Sequence, residues 1–313
     1  MSRIHDALRK LQQESRGTSA EAGTEPASIE DFFPLAGPET ASESPNGKAK
    51  AAPLLIKNDL LSTCETAEWK PNRKQSLFTG PQGHFRPGTE EFRTLRTRIQ
   101  RMGAKRPLKV ILVVSAAAQE GKTFVSANLA HAMSTHGKRV LIIDGDLRRP
   151  GQHRLWGAPC EIGLSDFLTE KAEVHEILQK GPIEGLYLIP AGQPHSNPSE
   201  LISGGKLKAL VTAMRELFDV IIIDSPPAGV VSDAAAMAES ADGVLVVVRA
   251  SSTPSKKVAA IRSDFREHRM LGVVLNFSTQ DHPDTYYGYN YSPLPVEKPQ
   301  GSAMAAAGGR KEP

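Results

Sequence analysis

The sequence predicts an α/β fold of three layers, with helices on both faces of a doubly wound, mostly parallel sheet. Two observations predict it. Six apolar runs recur along the chain: KVILVVSA (109–116), RVLIIDGD (139–146), LYLIPAG (186–192), DVIIIDSP (219–226), GVLVVVRA (243–250) and LGVVLNF (271–277). They are continuously apolar rather than alternating, the pattern of strands covered on both faces. Between them stand KTFVSANLAHAMSTHG (122–137), SDAAAMAESA (232–241) and STPSKKVAAIRSDFREH (252–268), which read as the crossover helices that parallel strands need.

Taken in order, the elements begin with SRIHDALRKLQQES (2–15), where Ile4, Ala7, Leu8 and Leu11 make one apolar helix stripe flanked by Arg3, Arg9 and Lys10. So short a helix is marginal alone in water, so residues 1–15 are expected to dock on the domain, a partner protein or a membrane surface. Residues 16–80 are rich in Ser, Thr, Glu, Ala, Pro and Gly and read as a flexible linker, with short ordered pieces such as PLLIKNDLL (53–61) within it. The globular domain is placed at 81–278 and opens with GTEEFRTLRTRIQRM (88–102), a helix with Phe92, Leu95 and Ile99 as its apolar positions. Regular structure is expected to stop there, leaving 279–313 as a disordered tail.

Composition excludes several classes. Hydrophobic residues are 39% and aromatic residues 5%, which suits a compact domain diluted by disordered segments. A net charge of +3 does not supply the concentrated basic stripe that nucleic acid requires. Cys64 and Cys160 make neither a disulfide framework nor a paired metal motif, and read as unreactive thiols in a reducing compartment. No run approaches the about 18 apolar residues of a membrane span, and the N-terminus has no apolar signal-like stretch. The chain is therefore expected in the cytoplasm.

The first strand candidate runs into SAAAQEGKT (115–123) and then a helix, which is the context a P-loop needs. Backbone N–H groups from Ala118, Gln119, Glu120 and Gly121 through Lys122, Thr123 and Phe124 are positioned to cradle phosphate oxygens. Lys122 would reach the β- and γ-phosphates and the Thr123 hydroxyl would ligate Mg²⁺. Ala116 stands at the usual first glycine. Asp144 and Asp146 close the second strand and Asp224 closes another, and in an open parallel sheet these ends converge on the P-loop crevice. Three carboxylates beside a triphosphate are what a Mg²⁺ site and an activating base require, so ATP and Mg²⁺ are the expected cofactors. Asn276, in VLNF (274–277), is the one candidate for reading a base, without the Asn-Lys-x-Asp motif of small GTPases.

From about residue 85 to 291 these motifs resemble the cytoplasmic catalytic domain of the bacterial tyrosine kinases, which serve polysaccharide synthesis and export. SAAAQEGKT resembles that family's Walker A loop, in which Ala often holds the first glycine position. LIIDGDLRRP (141–150) resembles its Walker A′ motif, and IIIDSPPAGVVSDA (221–234) its Walker B segment, closed by Asp233. AGQPHSNPSELI (191–202) carries the recurring Asn-Pro-Ser-Glu-Leu core, and EEFRTLR (90–96) resembles the Glu-x-x-Arg-x-x-Arg motif of the subunit contact. The family usually carries Pro-Gly where this chain has Ala118-Gln119, so a positive φ at Gln119 would be strained.

The resemblance implies roles. Asp144 is the base or nucleophile-orienting carboxylate, Lys122 stabilises the transferring phosphoryl group, and Thr123, Asp146 and Asp224 organise Mg²⁺, with Asp146 acting more directly than Asp224. Arg148 and Arg149 would contact phosphate, a neighbouring subunit or a structural acid. Glu90, Arg93 and Arg96 would form the oligomer contact; on the residues alone they read equally as a solvated helix face with i, i+3 ion pairs. Four of the five tyrosines, Tyr286, Tyr287, Tyr289 and Tyr291, lie in YYGYNY (286–291), between two stretches unsuited to a core. They would be phosphorylated by a neighbouring copy in a ring-like homo-oligomer.

The implied partners are a membrane polysaccharide chain-length regulator with a cytoplasmic activating segment, which would recruit the chain to the inner face of the membrane, and a protein-tyrosine phosphatase. The alternative is a septum-positioning or chromosome-partitioning ATPase switch. Those carry a lysine early in the loop followed by two glycines, where this chain has Ala117, Ala118 and Gln119. A nucleotide-binding adaptor without turnover is the third class.

Overall fold

The computed structural model of the chain describes residues 60–64, 66–72, 88–228 and 232–278. Seven strands form one sheet in the order β3-β4-β2-β5-β1-β6-β7. They are β1 (Val110–Ser115), β2 (Val140–Asp144), β3 (Gln179–Lys180), β4 (Leu186–Ile189), β5 (Val220–Asp224), β6 (Gly243–Arg249) and β7 (Met270–Asn276). Every pairing is parallel except that of β3 with β4. Each of the six apolar runs forms a strand. The edge strand β3 was not announced, because two polar residues carry no periodicity.

The helices are α1 (Leu60–Thr63), α2 (Thr89–Lys105), α3 (Lys122–Ser134), α4 (Gln152–Trp156), α5 (Leu164–Leu168), α6 (Val174–Ile177), α7 (Pro198–Ser203), α8 (Lys206–Met214), α9 (Asp233–Ala238) and α10 (Ser255–Asp264). Successive strand residues feed two separate cores, one on each face of the sheet. Leu112, Val114, Leu141 and Ile143 pack with Leu207, Leu210 and Met214 of α8 and with Met237 of α9. Ile111, Val113 and Ile142 pack with Phe92 and Ile99 of α2 and with Val125 and Leu129 of α3. This two-sided burial is why the runs do not alternate. The helix α3 is covered on nearly all sides, as a helix between a sheet and an outer helix must be.

One stretch corrects the expected organisation. Residues 60–64 and 66–72 fall inside the span read as flexible linker, yet they pack on the domain. Ala67 N–H donates to the Lys180 carbonyl at 2.8 Å, and Asn72 N–H to the Leu155 carbonyl at 2.8 Å. Trp69 is buried, with its ring centroid 5.8 Å from that of Trp156. Gly181 makes room for it: a Cβ there would lie 2.4 Å from the Trp69 ring. For these residues the linker reading does not hold, because one large aromatic outweighs a polar local composition.

Trp69→Ala is therefore expected to destabilise the domain by about 3 kcal/mol or more in urea unfolding. A loss below about 1 kcal/mol would show that the segment contributes little to the core.

Candidate active site

Because β5 lies between β1 and β2, the C-terminal ends of these strands bring the loop after Ser115, Asp224 and Asp144 side by side. The ladder pairs Asp144 directly with Asp224. Lys122, the first residue of α3, reaches into this corner. Its Nζ lies 3.2 Å from Asp146 Oδ2 and 3.4 Å from Asp224 Oδ1, with only 9% of the side chain exposed. Burial alone would pull its pKa down, but Asp224 and then Asp146 outweigh it and hold the ammonium above the usual lysine value.

Asp144 is fully buried, and its Oδ2 accepts from Gly151 N–H at 3.0 Å and Gln152 N–H at 2.9 Å. Its Oδ1 accepts from Asp146 N–H at 3.3 Å. Burial, then repulsion from Asp224, push its pKa up to about 7, against the pull of those N–H donors and Lys122. Asp146 Oδ1 accepts from Arg149 N–H at 3.0 Å, so Asp144 and Asp146 together also fold the loop GDLRRPG that follows β2. Asp224 Oδ2 accepts from Gln152 Nε2 at 3.0 Å, while Gln152 Oε1 is buried without a hydrogen-bond partner.

The P-loop has its own supports. Gly121 takes φ 86°, and a Cβ there would sit 2.0 Å from Asn276 Nδ2, so only glycine fits. Asn276 Nδ2 donates to the Glu120 carbonyl at 2.9 Å. The buried Glu120 carboxylate accepts from Ala117 N–H at 3.0 Å and from the Thr253 hydroxyl. Gln119 does adopt a positive φ, 65°, the strained conformation that the departure from Pro-Gly implied. Ala118 and Gln119 are exposed at the loop tip, whereas the Phe124 ring packs edge-on against Phe92 of α2 with centroids 5.7 Å apart. The Phe124 side chain is partly buried against the core, and its backbone N–H, the group expected at the phosphates, stands in the first turn of α3.

Other residues were not foreseen. Phe277 follows Asn276 with φ 58°, is half exposed, and has the Arg249 guanidinium 4.4 Å from its ring centroid. Its ring comes within 3.3 Å of a Cβ placed on Gly121, so an exposed aromatic stands at the mouth of the P-loop. Arg148, expected to meet phosphate, a subunit or a structural acid, has such an acid: its Nε pairs with the buried Asp233 at 3.2 Å and its Nη2 donates to Ser199 Oγ at 2.8 Å. Ser199 in turn donates to Asp233. The Arg-Arg-Pro, Asn-Pro-Ser-Glu-Leu and Walker B motifs thus meet in one network. No spacing rule reveals such a meeting, since the three lie far apart in sequence.

Of the expected oligomer contact, Glu90 is exposed and pairs with Arg93 within α2, while Arg96 Nη1 donates to the Ala132 carbonyl of α3 at 2.9 Å. The tail tyrosines lie outside the described residues. Neither Cys64 nor Cys160 is in a disulfide among the described residues, and Cys64 Sγ donates to the Leu178 carbonyl at 3.4 Å.

Among the described residues no three acidic, histidine or cysteine side chains form a metal cage by themselves. The site does fit a Mg²⁺–nucleotide pair, which Asp146, Asp224 and the Thr123 hydroxyl would hold together with phosphate and water. Two buried carboxylates with one ammonium between them, and the orphaned Gln152 oxygen beside Asp224, are the observations that fit.

Comparison with known proteins decides among P-loop classes. A family model described as an AAA domain matches residues 108–267, about half the chain. The putative tyrosine-protein kinase CapB of Staphylococcus aureus is 31% identical over 69% of this chain and 97% of its own length. The chain belongs to the bacterial tyrosine kinase family. The tyrosine-protein kinase YwqD of Bacillus subtilis is 31% identical over 60% of this chain and 80% of its own. The kinase domain of Escherichia coli tyrosine kinase ETK superposes with a TM-score of 0.57 at 30% identity, covering 63% of this chain and 80% of that one. The chain spans only 29% of the tyrosine-protein kinase wzc of Salmonella typhimurium. As a bacterial tyrosine kinase it is an enzyme with a P-loop nucleotide site, and the partitioning-type reading falls behind. Among the described residues no helix is long and apolar enough to cross a membrane.

The raised Asp144 pKa has a defined consequence. Between the usual 3.8 and about 7 the folded chain holds a proton that the unfolded chain has released, so ionising Asp144 lowers stability as pH rises through that window. In metal-free and nucleotide-free buffer, wild-type stability is expected to fall relative to Asp144→Asn by about 1 kcal/mol or more between about pH 5 and about pH 8. Parallel urea-unfolding profiles would contradict this.

Proposed function

We propose that this kinase transfers the γ-phosphoryl group of Mg·ATP to the tyrosine cluster of a neighbouring copy, within an oligomer that serves exopolysaccharide or capsule synthesis and export. The observation that carries the reading concerns the fifth tyrosine. Tyr187 is 7% exposed and packs edge-on against Phe218, so the domain offers no accessible tyrosine and self-phosphorylation falls on residues 286–291.

The P-loop N–H groups from Ala118 to Phe124 would orient the triphosphate, and Phe277 beside Asn276 offers an exposed aromatic face at the loop mouth on which the base would stack. Mg²⁺, when bound, neutralises charge on the phosphates, held by Thr123, Asp146 and Asp224. Lys122 swings from its carboxylates to the transferring group, which ties phosphate binding to release of Asp146 and Asp224. Asp144 takes the phenol proton. A carboxylate has about four acceptor positions and backbone N–H groups fill three, so one remains. An acid that titrates near neutrality suits that task.

Each phosphate added to the tail carries about −1.5 to −2 charges, and several within six residues repel the tail from an acidic crevice. Phosphorylation thereby loosens the oligomer, in which Glu90, Arg93 and Arg96 make the contact. A membrane chain-length regulator supplies the activating segment and holds the chain at the inner membrane face, and a protein-tyrosine phosphatase resets it.

With Mg·ATP and that segment, mass spectrometry is expected to place phosphate on Tyr286, Tyr287, Tyr289 or Tyr291 and none on Tyr187. Lys122→Met alone should stay unlabelled but become labelled on its tail when mixed with wild type. An unmodified wild-type tail, or a mixture in which only wild type is labelled, would contradict transfer between copies.

A further inference from the structure

The loop that carries Asp144 and Asp146 turns a second set of side chains outward. A cavity of about 520 Å³ lies there, lined chiefly by Arg148, Arg149, His153, Arg154, Cys160 and Gln193, and none of its lining residues is acidic. Among the described residues, Arg148 alone of the three arginines has a counter-ion, Asp233. Among the described residues no carboxylate lies within salt-bridge distance of Arg149 or Arg154; the latter donates to the Pro150 carbonyl instead. The adjacent acid, Glu161, is engaged with Cys160 N–H at 3.0 Å. Burial, then Arg154, hold the His153 pKa below the usual imidazole value, and its Nδ1 is buried without a hydrogen-bond partner.

Both walls are built rather than incidental. On one side Arg149 N–H is tied to Asp146 and Gly151 N–H to Asp144, each at 3.0 Å, so the backbone that carries the basic side chains is fixed relative to the reaction carboxylates. On the other, the Gln193 carbonyl accepts from Ser165 Oγ at 2.7 Å and Gln193 Nε2 donates to the Glu161 carbonyl at 3.0 Å. Gly192 passes at φ 81°, where a Cβ would lie 2.4 Å from Asp166 Oδ2. A positive cavity thus adjoins a centre of three aspartates.

We propose that this cavity is a substrate subsite that binds an anionic side chain flanking the target tyrosine. The inference rests on the tyrosine-kinase reading and adds to it what the enzyme recognises around the tyrosine. The tail supplies such groups: residues 279–291 contain Asp281 and Asp284 and no lysine or arginine. Asp284 stands two residues before Tyr286, about 7 Å in an extended chain, so one segment can present its phenol to Asp144 and its carboxylate to Arg149 and Arg154. A single phosphotyrosine made in an earlier round offers the same oxyanion chemistry to a planar guanidinium, until further phosphates on the tail repel it from the aspartate crevice.

The test is binding of a fluorescein-labelled peptide of residues 279–295 to the full chain with Mg·ADP, read by anisotropy. Arg149→Ala with Arg154→Ala is expected to weaken binding about tenfold, the range of one lost charge-assisted contact. A peptide carrying Asp281→Asn and Asp284→Asn should bind wild type as weakly, with no further loss on the arginine variant. Phosphotyrosine at position 286 of that peptide restores binding to wild type alone if phosphate also occupies the cavity; no restoration assigns the site to carboxylate. Arginine replacements without effect, or losses that simply add, would overturn the proposal. Should the variant fold poorly, salt decides: affinity for the aspartate peptide should fall more steeply with NaCl than affinity for its asparagine counterpart, and equal slopes overturn it. A tail peptide that binds through the arginines but is never phosphorylated would remove the tail as substrate and leave the subsite standing.

Discussion

An ammonium group in a protein interior persists only where fixed charges replace the water it has lost. Lys122 meets that condition through Asp146 and Asp224, and each aspartate is in turn held by the fold rather than by chance. Asp224 closes a central strand and is gripped by Gln152, while Asp146 grips the backbone of Arg149. Removing the lysine would leave two carboxylates, and Asp144 beside them, with no compensating charge. The corner where β1, β2 and β5 end is thus a charge cluster that the rest of the site is arranged around.

That cluster also explains the tie between the loop after β2 and the reaction centre. Asp144 and Asp146 spend much of their hydrogen-bonding capacity on the backbone of residues 146–152, so the carboxylates shape the loop that carries the arginines. The Arg148–Asp233–Ser199 network then joins this loop to α7 and α9. Chemistry and substrate recognition on one loop would respond together to anything that moves it.

Much of this was legible in the sequence because it depends on local pattern. Continuous apolar runs gave the six parallel strands, and a strand-loop-helix context gave Lys122 and Thr123 their places. Strand-end position was enough to gather Asp144, Asp146 and Asp224. What stayed hidden depends on contacts between distant segments: Trp69 against Trp156, Ser199 against Asp233, Asn276 against Glu120. The Arg96 motif likewise did not reveal that its guanidinium donates to the Ala132 carbonyl of its own chain. Gln119 was legible in part, because a departure from glycine at a tight loop announces strain that the backbone then displays.

The most direct test of the buried charge cluster is a double-mutant cycle on Lys122→Met and Asp224→Asn, read as urea-unfolding free energy in metal-free buffer. Lys122→Met alone is expected to cost about 3 kcal/mol or more, because it strands buried carboxylates. The double variant is expected to be more stable than that single one, with a coupling of about 1 kcal/mol or greater. Strictly additive losses would mean that Lys122 and Asp224 do not compensate each other, and would contradict the account.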